Sequence, residues 1–329
     1  MHYDSSSSFR ATPCKEPGRA GPGRRGAQKV YFLHSPHSPR RSARATRTSG
    51  RLTILTTQEI EALYGRPRFT EEERQLYFDL SPRERAAVEA VQTAAAAVHL
   101  TLQLGYFKAT CRFFIYTREA ALSDLDHIRR RYFPRLDLAA VTVLSKPTRL
   151  AQQQVILDLF DYRLCDAAAK AALEQKVQRA ALLSTQPIVL LREALQYLTN
   201  ERLVAPGYTY LQEMVGRVVA RERRRITHLL AGALPPAIAE RLDALLQAEE
   251  GMYAISVLKH EPKDFSYGEL RQEVARRALF APLHAFGQPF LATAGLSNES
   301  VKYYASLVQF YTVYKLRRMT RATTRLYLA

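Results

Sequence analysis

Apolar residues recur every three or four positions along most of the chain after Leu52, and this period predicts amphipathic helices. Alternation with period two, which would predict strands, is scarce, and 139–145 is the one segment that favours a strand. The pattern therefore predicts an all-α, multi-helical protein of two or three small helical bundle modules with helix-turn-helix-like elements. Helices are predicted at 84–106, 119–132, 148–160, 166–183, 187–200, 209–231, 236–250, 267–279 and 298–320.

Capping residues mark the helices that precede residue 84. Thr57 is predicted to cap a first helix that stops at Gly65, and Thr70 a second helix whose first turn carries three glutamates. Ser81 followed by Pro82 is typical of a further helix start, because proline is tolerated at the first helical position.

Composition and joints divide the chain into four predicted segments. Residues 1–50 carry ten Lys and Arg against two acids among many Ser, Pro and Gly, so they cannot bury enough apolar surface to offset the entropy of ordering, and we expect a disordered basic tail. Proline and glycine near 132–149 and 249–269 indicate joints. The remaining segments are a first helical module at 51–147, a second at 148–250, and the start of a helical dimerisation or linker region at 251–329.

The predicted helix at 209–231 separates apolar from cationic residues. Arg217, Arg221, Arg224 and His228 form a row roughly opposite an apolar stripe, which can pack on a domain while the row faces solvent. Glu222 falls within the stripe and needs a partner such as a neighbouring arginine. A solvated helix face remains the alternative interpretation of such a charge run. The stripe comprises Leu211, Val215, Val218, Val219, Ile226, Leu229 and Leu230.

The net charge of +17 and the pI near 9.9 favour a polyanionic partner, most often nucleic acid, over an acidic small molecule. Anionic membrane is the rival partner. The best candidate for a membrane span, 90–107, is diluted by polar residues, so we interpret it as a buried helix and expect no membrane partner.

The segment 190–225 has a helix-turn-helix order, in which the second helix would enter the major groove of double-stranded DNA. An αα-hairpin without DNA contact is the alternative. Basic clusters near 129–135 and 315–325 have a similar composition, although cations at a helix C-terminus also complement its dipole. The residues predicted to contact DNA are Arg217, Arg221, Arg224, Arg225, His228, Thr209, Tyr210, Gln212, Arg129, Arg130, Arg131, Lys146 and Arg149.

Catalytic and metal-binding patterns are not found in the sequence. It has no Gly-rich phosphate loop, no Gly-x-Ser-x-Gly motif and no acid cluster suited to two-metal chemistry. The three cysteines are too few and too scattered for a disulfide framework or a zinc site, and they suit a reducing cytoplasm. We therefore predict no catalytic residues, no metal, no cofactor and no small-molecule substrate.

Four separated segments carry a resemblance to one known family. Residues 55–84 ("LTTQEIEALYGRPRFTEEERQLYFDLSPRE"), 100–114, 215–246 and 296–319 resemble, in this order, the amino-terminal region of the large transposases of the Tn-three family, bacterial replicative transposons. The similarity runs from about Arg51 to the C-terminus.

This resemblance implies that the helical modules bind the terminal inverted repeats of a transposon, that a dimerisation region follows, and that the chain forms a homodimer. It also implies that the Mg²⁺-dependent, ribonuclease-H-like domain that cuts and joins DNA lies outside these 329 residues, so that this chain is not itself an enzyme. A cytoplasmic, nucleoid-associated bacterial protein is expected.

Two alternatives remain open from the residues. A basic helical interaction protein would bind RNA or DNA without sequence preference. A metal-dependent nuclease or intact transposase would cleave a transposon end in the presence of Mg²⁺.

Overall fold

The computed structural model describes residues 52–141, 144–249, 252–259, 262–293 and 295–329. The predicted basic tail at 1–50 lies outside these residues. The described residues fold into fourteen α-helices with almost no strand, which confirms the all-α prediction. They divide into two compact units: an N-terminal unit that extends to Lys170 and includes Leu195–Leu211, and a C-terminal unit made of Ala171–Ala194 and Gln212–Ala329.

The fourteen helices of the described residues are numbered in chain order. Their bounds are α1 Thr57–Tyr64, α2 Glu71–Tyr77, α3 Pro82–Glu89, α4 Ala94–Thr110, α5 Leu122–Tyr132, α6 Lys146–Phe160, α7 Ala167–Ala181, α8 Pro187–Asn200, α9 Tyr208–Ala233, α10 Pro236–Ala244, α11 Tyr267–Thr293, α12 Asn298–Phe310, α13 Val313–Arg317 and α14 Arg321–Leu328. Short 3-10 helices cover Glu119–Ala121, Leu138–Ala140 and Ala254–Lys259.

Strand structure in the described residues consists of two small sheets. In the N-terminal unit β1 (Arg163–Leu164) pairs in parallel with β2 (Leu203–Val204). In the C-terminal unit β3 (Ala248–Glu249) and β4 (Met252–Tyr253) form an antiparallel pair. The strand predicted at 139–145 was wrong at its first residues, which lie in a 3-10 helix that starts where the Asp137 side chain accepts a hydrogen bond from Ala139 N. Residues 142 and 143 of that prediction lie outside the described part.

Reciprocal capping fixes the starts of the first three helices. Thr70 and Ser81 cap α2 and α3 as predicted, each in a capping box with the glutamate three residues later. Thr56, rather than the predicted Thr57, caps α1, because its side chain accepts from Glu59 N while the Glu59 carboxylate accepts from Thr56 N. Gly65 ends α1 as predicted.

The centre of the N-terminal unit is α4, the predicted buried helix. Thirteen of its seventeen residues are buried, because α2, α3, α5 and α6 all pack around it. One side of α4 joins a core that contains Phe78, Tyr106 and Ile128, and the other side joins a second core that contains Phe107 and Phe160. A helix that is apolar all round is the type expected at the centre of a bundle.

Gly105 allows the closest approach in this unit. A Cβ atom at position 105 would overlap the ring of the fully buried Phe78, so only glycine lets α4 come this near to the end of α2.

The core of the C-terminal unit is built by the later helices. Ile226 and Leu230 of α9 join Leu242, Phe290 and Tyr304 in one buried cluster, to which Leu316, Leu326 and Tyr327 also contribute. The segment predicted as one helix at 298–320 is two helices, α12 and α13, since Thr312 adopts extended backbone and caps the second; Thr320 then caps α14, which follows the predicted range.

Other predicted bounds differ for local reasons. The helix expected at 84–106 is split into α3 and α4, since the Thr93 side chain caps a new helix by accepting from Ala96 N. The helix expected at 267–279 continues to Thr293 through Pro282 and Pro289. None of the helices in the described ranges combines the length and apolar character that a membrane span requires.

Candidate nucleic-acid interface

The cationic row lies on the solvent-facing side of α9. Arg217, Arg221, Arg224 and His228 are all exposed, whereas most of the opposite apolar stripe is buried, as the helical spacing predicts. Arg217 and Arg221 keep 53% and 60% of their side-chain surface exposed. With intervals of four, three and four residues, the row extends for about 17 Å at the helical rise per residue. It presents three guanidinium groups and one imidazole on a single face.

Within the described residues, one carboxylate is ion-paired to this row. Glu174 of α7 accepts a hydrogen bond from Arg217 Nη2 at 3.0 Å, and its other oxygen lies 3.9 Å from Arg221 Nη2. Gln178 Nε2 donates to the same carboxylate at 3.3 Å. Since Glu174 can neutralise one guanidinium at most, the row keeps a net positive charge. The contact also holds the two arginines beside each other.

Glu222, which falls within the apolar stripe, pairs with the neighbouring Arg225, as the sequence predicted for a neighbouring arginine. Its buried carboxylate accepts from Arg225 Nε at 2.9 Å and from Arg225 Nη2 at 2.7 Å, a two-pronged geometry that matches the guanidinium. The Glu222 hydrogen bonds raise the pKa of Arg225. Arg225, a predicted DNA contact, is therefore already engaged in neutralising a buried acid, and its role at DNA stays a prediction.

The structure adds Arg179 to this surface, a residue that the sequence did not single out. A cleft of about 350 Å³ in the C-terminal unit is lined by Arg179 of α7 together with Arg221 and Arg225 of α9. The juxtaposition of α7 and α9 is tertiary, so the spacing of residues along either helix could not have indicated it.

The first turn of α9 carries Thr209, Tyr210 and, just beyond it, Gln212, the candidates for base contacts. Thr209 is exposed, Tyr210 and Gln212 are half-buried, and Lys170 Nζ lies 5.2 Å from the centre of the Tyr210 ring. Whether these side chains contact bases stays a prediction.

The connection before α9 is longer than a three- or four-residue helix-turn-helix turn. Residues 201–207 separate α8 from α9 and include β2, which is paired with β1. Within the N-terminal unit, Tyr64 Oη donates to Pro206 O at 3.2 Å and Leu55 N donates to Tyr208 Oη at 3.1 Å. Contacts from α1 and from Leu55, which precedes it, therefore fix the start of α9.

The arginine cluster at the end of α5 is largely compensated by acids of the same unit. Asp126 accepts from Arg129 Nη2 at 2.9 Å and lies 3.0 Å from Arg130 Nε, and Arg131 pairs with Asp79. Hydrogen bonding from Arg129 holds the pKa of Asp126 below its usual value. Three cations beside two carboxylates leave less net charge than the α9 row has. We therefore expect this cluster to be the weaker contact.

Lys146 and Arg149 lie in the first turn of α6. Ser145 caps this helix, Lys146 is exposed, and Arg149 is half-buried. The positive end of the helix dipole repels cations at a helix N-terminus. An anion bound there would be stabilised by the cations and by the dipole. This arrangement suits a phosphate contact, which stays a prediction.

Groups suited to catalysis or metal binding do not stand out in the described ranges. No cluster of three or more His, Cys, Asp or Glu side chains there is arranged to hold a metal ion. The two sheets found in those ranges have two-residue strands, so these residues do not form the larger sheet of a ribonuclease-H-like fold.

Comparison with protein families identifies the N-terminal part of the chain. Residues 54–218 match the family described as a domain of unknown function, DUF4158. This chain belongs to the DUF4158 family. The domain is known from the N-terminal regions of Tn-three-family transposases, which agrees with the resemblance of residues 55–84 and 100–114. No curated protein matches the chain.

The extent of the DUF4158 match divides the candidate interface. Arg217 lies within the matched residues, whereas Arg221, Arg224 and His228 follow its end at residue 218. The match therefore supports a transposase-related domain, and the row as a whole depends on the geometry of α9.

The contact of Glu174 with the row leads to a prediction. Replacing Glu174→Gln is expected to raise affinity for duplex DNA about fivefold at low salt, since a partly exposed ion pair contributes up to about 1 kcal/mol and competes with phosphate for the two arginines. Fluorescence anisotropy with a labelled duplex measures this. The control is Glu193→Gln, which removes the same charge from a half-buried acid 4.0 Å from Lys176. Equal affinities of the two variants would contradict the competition.

Proposed function

We propose that this DUF4158-containing chain recognises the terminal inverted repeats of a Tn-three-type transposon, with the exposed row on α9 as the principal contact to the phosphate backbone. The observation that carries the proposal is the exposed row itself: Arg217, Arg221, Arg224 and His228 share one face, and among the described residues Glu174 is the one carboxylate ion-paired to it. Arginine side chains arranged in this way fit successive phosphates of a duplex.

Phosphate contacts position a protein on DNA, but base contacts provide sequence preference. The proposal assigns sequence preference to side chains in the first turns of α9, where Thr209, Tyr210 and Gln212 lie. Threonine and glutamine can hydrogen-bond to base edges in the major groove. The binding step uses no cofactor, and strand transfer is assigned to a catalytic domain other than the residues described above.

The test compares two labelled duplexes of the same length and composition, one carrying the terminal repeat of a Tn-three-type element and one with that sequence scrambled. We expect tighter binding of the repeat, unchanged by EDTA, with log affinity falling linearly with log salt by about 0.9 per neutralised phosphate. No cleavage is expected when Mg²⁺ is added.

Each contrary outcome has a distinct meaning. Equal affinity for the repeat, the scrambled duplex and RNA would replace the proposal by the basic interaction protein that binds without sequence preference. Cleavage of the repeat in Mg²⁺ would assign a nuclease activity to the chain and overturn the non-catalytic assignment.

A further inference from the structure

The last thirty residues form a basic surface that the α9 row does not explain. Residues 300–329 contain six Lys and Arg and no acid. Three of these cations pair with carboxylates elsewhere in the C-terminal unit: Lys302 with Glu299, and Arg321 and Arg325 with Asp243. The two arginines lower the pKa of Asp243 to about 2, with Arg325 the larger cause, so this carboxylate stays charged at neutral pH. The charges of Arg321 and Arg325 are thus partly compensated.

The other three cations of this segment lie beside tyrosine rings instead. Lys315 Nζ is 4.0 Å from the centre of the Tyr311 ring. Arg318 Nη1 donates to Tyr314 Oη at 3.3 Å, and its guanidinium carbon is 5.4 Å from the centre of that ring. For the third cation, Arg317 Nη1 donates to Tyr253 Oη at 2.9 Å. We name these six side chains, Tyr253, Tyr311, Tyr314, Lys315, Arg317 and Arg318, the α13 patch. In the described part of the chain, no ion pair joins its cations to a carboxylate.

The dipole of a long last helix does not account for these cations. The single helix predicted at 298–320 is interrupted at Tyr311 and Thr312, and α13 is only five residues long. Arg321 lies in the first turn of α14 rather than in the last turn of a helix. A short helix has a weak end charge, and among the described residues no carboxylate is ion-paired to these three neighbouring cations, which therefore repel one another.

Exposed aromatic rings accompany this charge. Tyr314 keeps 70% of its surface exposed, and Phe310, which ends α12, keeps 63%. In a duplex the bases stack on one another, so their faces are not available to exposed aromatic rings. Unpaired bases can stack on such rings while arginine and lysine bind the phosphates. The α13 patch has both components within a few residues of one another.

We propose that the α13 patch binds single-stranded DNA, with an unpaired base stacked on Tyr314 and the adjacent phosphates held by Lys315, Arg317 and Arg318. This second activity stands on Tyr311 and on residues of α13 and β4, and it does not depend on duplex recognition by α9. Its failure would leave the proposed function of the α9 row unaffected.

The first test uses a labelled oligothymidine of about 20 nucleotides, which has no base pairing and exceeds the usual length of such sites. The full chain with Arg217, Arg221 and Arg224 replaced by alanine is the starting protein, so that the α9 row does not contribute. Adding Tyr314→Ala is expected to lower oligothymidine affinity about 5- to 100-fold, and Tyr314→Phe, which keeps the ring, less than about twofold. Adding Arg317→Ala and Arg318→Ala should reduce the salt slope by about 1.4.

The matched control is Tyr267→Ala, which removes a ring that is 79% exposed in the same unit and lies outside the α13 patch. If Tyr314→Ala and Tyr267→Ala bind oligothymidine equally well, the proposal is overturned. It is also overturned if vesicles containing phosphatidylserine bind the patch, lose binding with Tyr314→Ala, and oligothymidine does not compete, since the partner would then be a membrane.

A second measurement separates stacking from charge attraction. The chain contains no tryptophan, so Tyr314→Trp introduces a single reporter at an exposed position. Oligothymidine is expected to quench its emission, while inorganic polyphosphate, which has charge and no bases, leaves the emission unchanged. Equal responses to both would show that the rings do not stack on bases and would overturn the proposal.

Discussion

Replacing Arg217, Arg221 and Arg224 together by alanine is expected to lower affinity for a terminal-repeat duplex roughly 100- to 1,000-fold near 0.1 M salt. Each neutralised phosphate contributes about −0.9 to the slope of log affinity against log salt. Losing three contacts should therefore make this slope less steep by about 2.7. All three side chains are exposed on α9, and none contributes to the buried cluster of the C-terminal unit. The folded structure should therefore survive the change.

The salt slope is the more informative readout of this variant. A loss of three phosphate contacts must reduce the slope as well as the affinity, whereas a folding defect would lower the active fraction and leave the slope unchanged. Anisotropy titrations over a fourfold range of salt measure both quantities. Thermal unfolding followed by circular dichroism checks that the helices are retained.

A charge-matched control distinguishes the row from net charge alone. Replacing Arg83, Arg85 and Arg118 by alanine removes the same three positive charges from exposed positions of the N-terminal unit. Both variants lower the net charge of +17 by three, so long-range attraction to DNA changes equally in both. If the control weakens binding as much as the α9 variant, the row is not the interface.

The amphipathic pattern of α9 was sufficient to predict its exposed face. Its bounds were predicted within two residues, and the buried placement of Ile226 and Leu230 opposite Arg221 follows from the period of 3.6 residues. Helix α8 was predicted with its observed bounds. In a long helix with a strong period, the sequence alone determines which face packs against the rest of the unit.

Contacts between helices could not be predicted in the same way. Nothing in the spacing of residues along α7 indicates that Glu174 meets Arg217 and Arg221 of α9, or that Arg179 shares a cleft with Arg221 and Arg225. The breaks at Thr93 and Thr312 were missed because a threonine that caps a helix and one that continues it look alike until the side chain is seen to accept a backbone hydrogen bond.

The contacts of Asp124 in the N-terminal unit could not be predicted from the sequence either. Its position in the first turn of α5 is typical of a residue that favours a helix start. In the structure it is buried and accepts hydrogen bonds from Tyr106 Oη at 2.8 Å, Arg74 Nε at 2.9 Å and Arg66 Nη1 at 3.2 Å. Burial, together with the Asp124 carboxylate, raises the pKa of Tyr106, so its hydroxyl remains a donor.

Replacing Asp124→Ala is expected to lower the free energy of unfolding of the N-terminal unit by about 3–5 kcal/mol, because two guanidinium groups and a buried hydroxyl lose their common acceptor. Urea unfolding followed by circular dichroism measures the change. The control is Asp126→Ala on the same helix, whose carboxylate is 38% exposed and pairs with Arg129 and Arg130, so that its loss should cost about 1 kcal/mol or less.

The two aspartates also separate stability from DNA binding. Asp124→Ala should leave the affinity of the folded chain for duplex DNA unchanged, because its partners Arg66, Arg74 and Tyr106 belong to the interior network of the N-terminal unit. Asp126→Ala frees Arg129 and Arg130 from their carboxylate and should raise that affinity slightly if these arginines reach phosphate. Comparable losses of stability in both variants would show that Asp124 is not the anchor of this network, despite its burial.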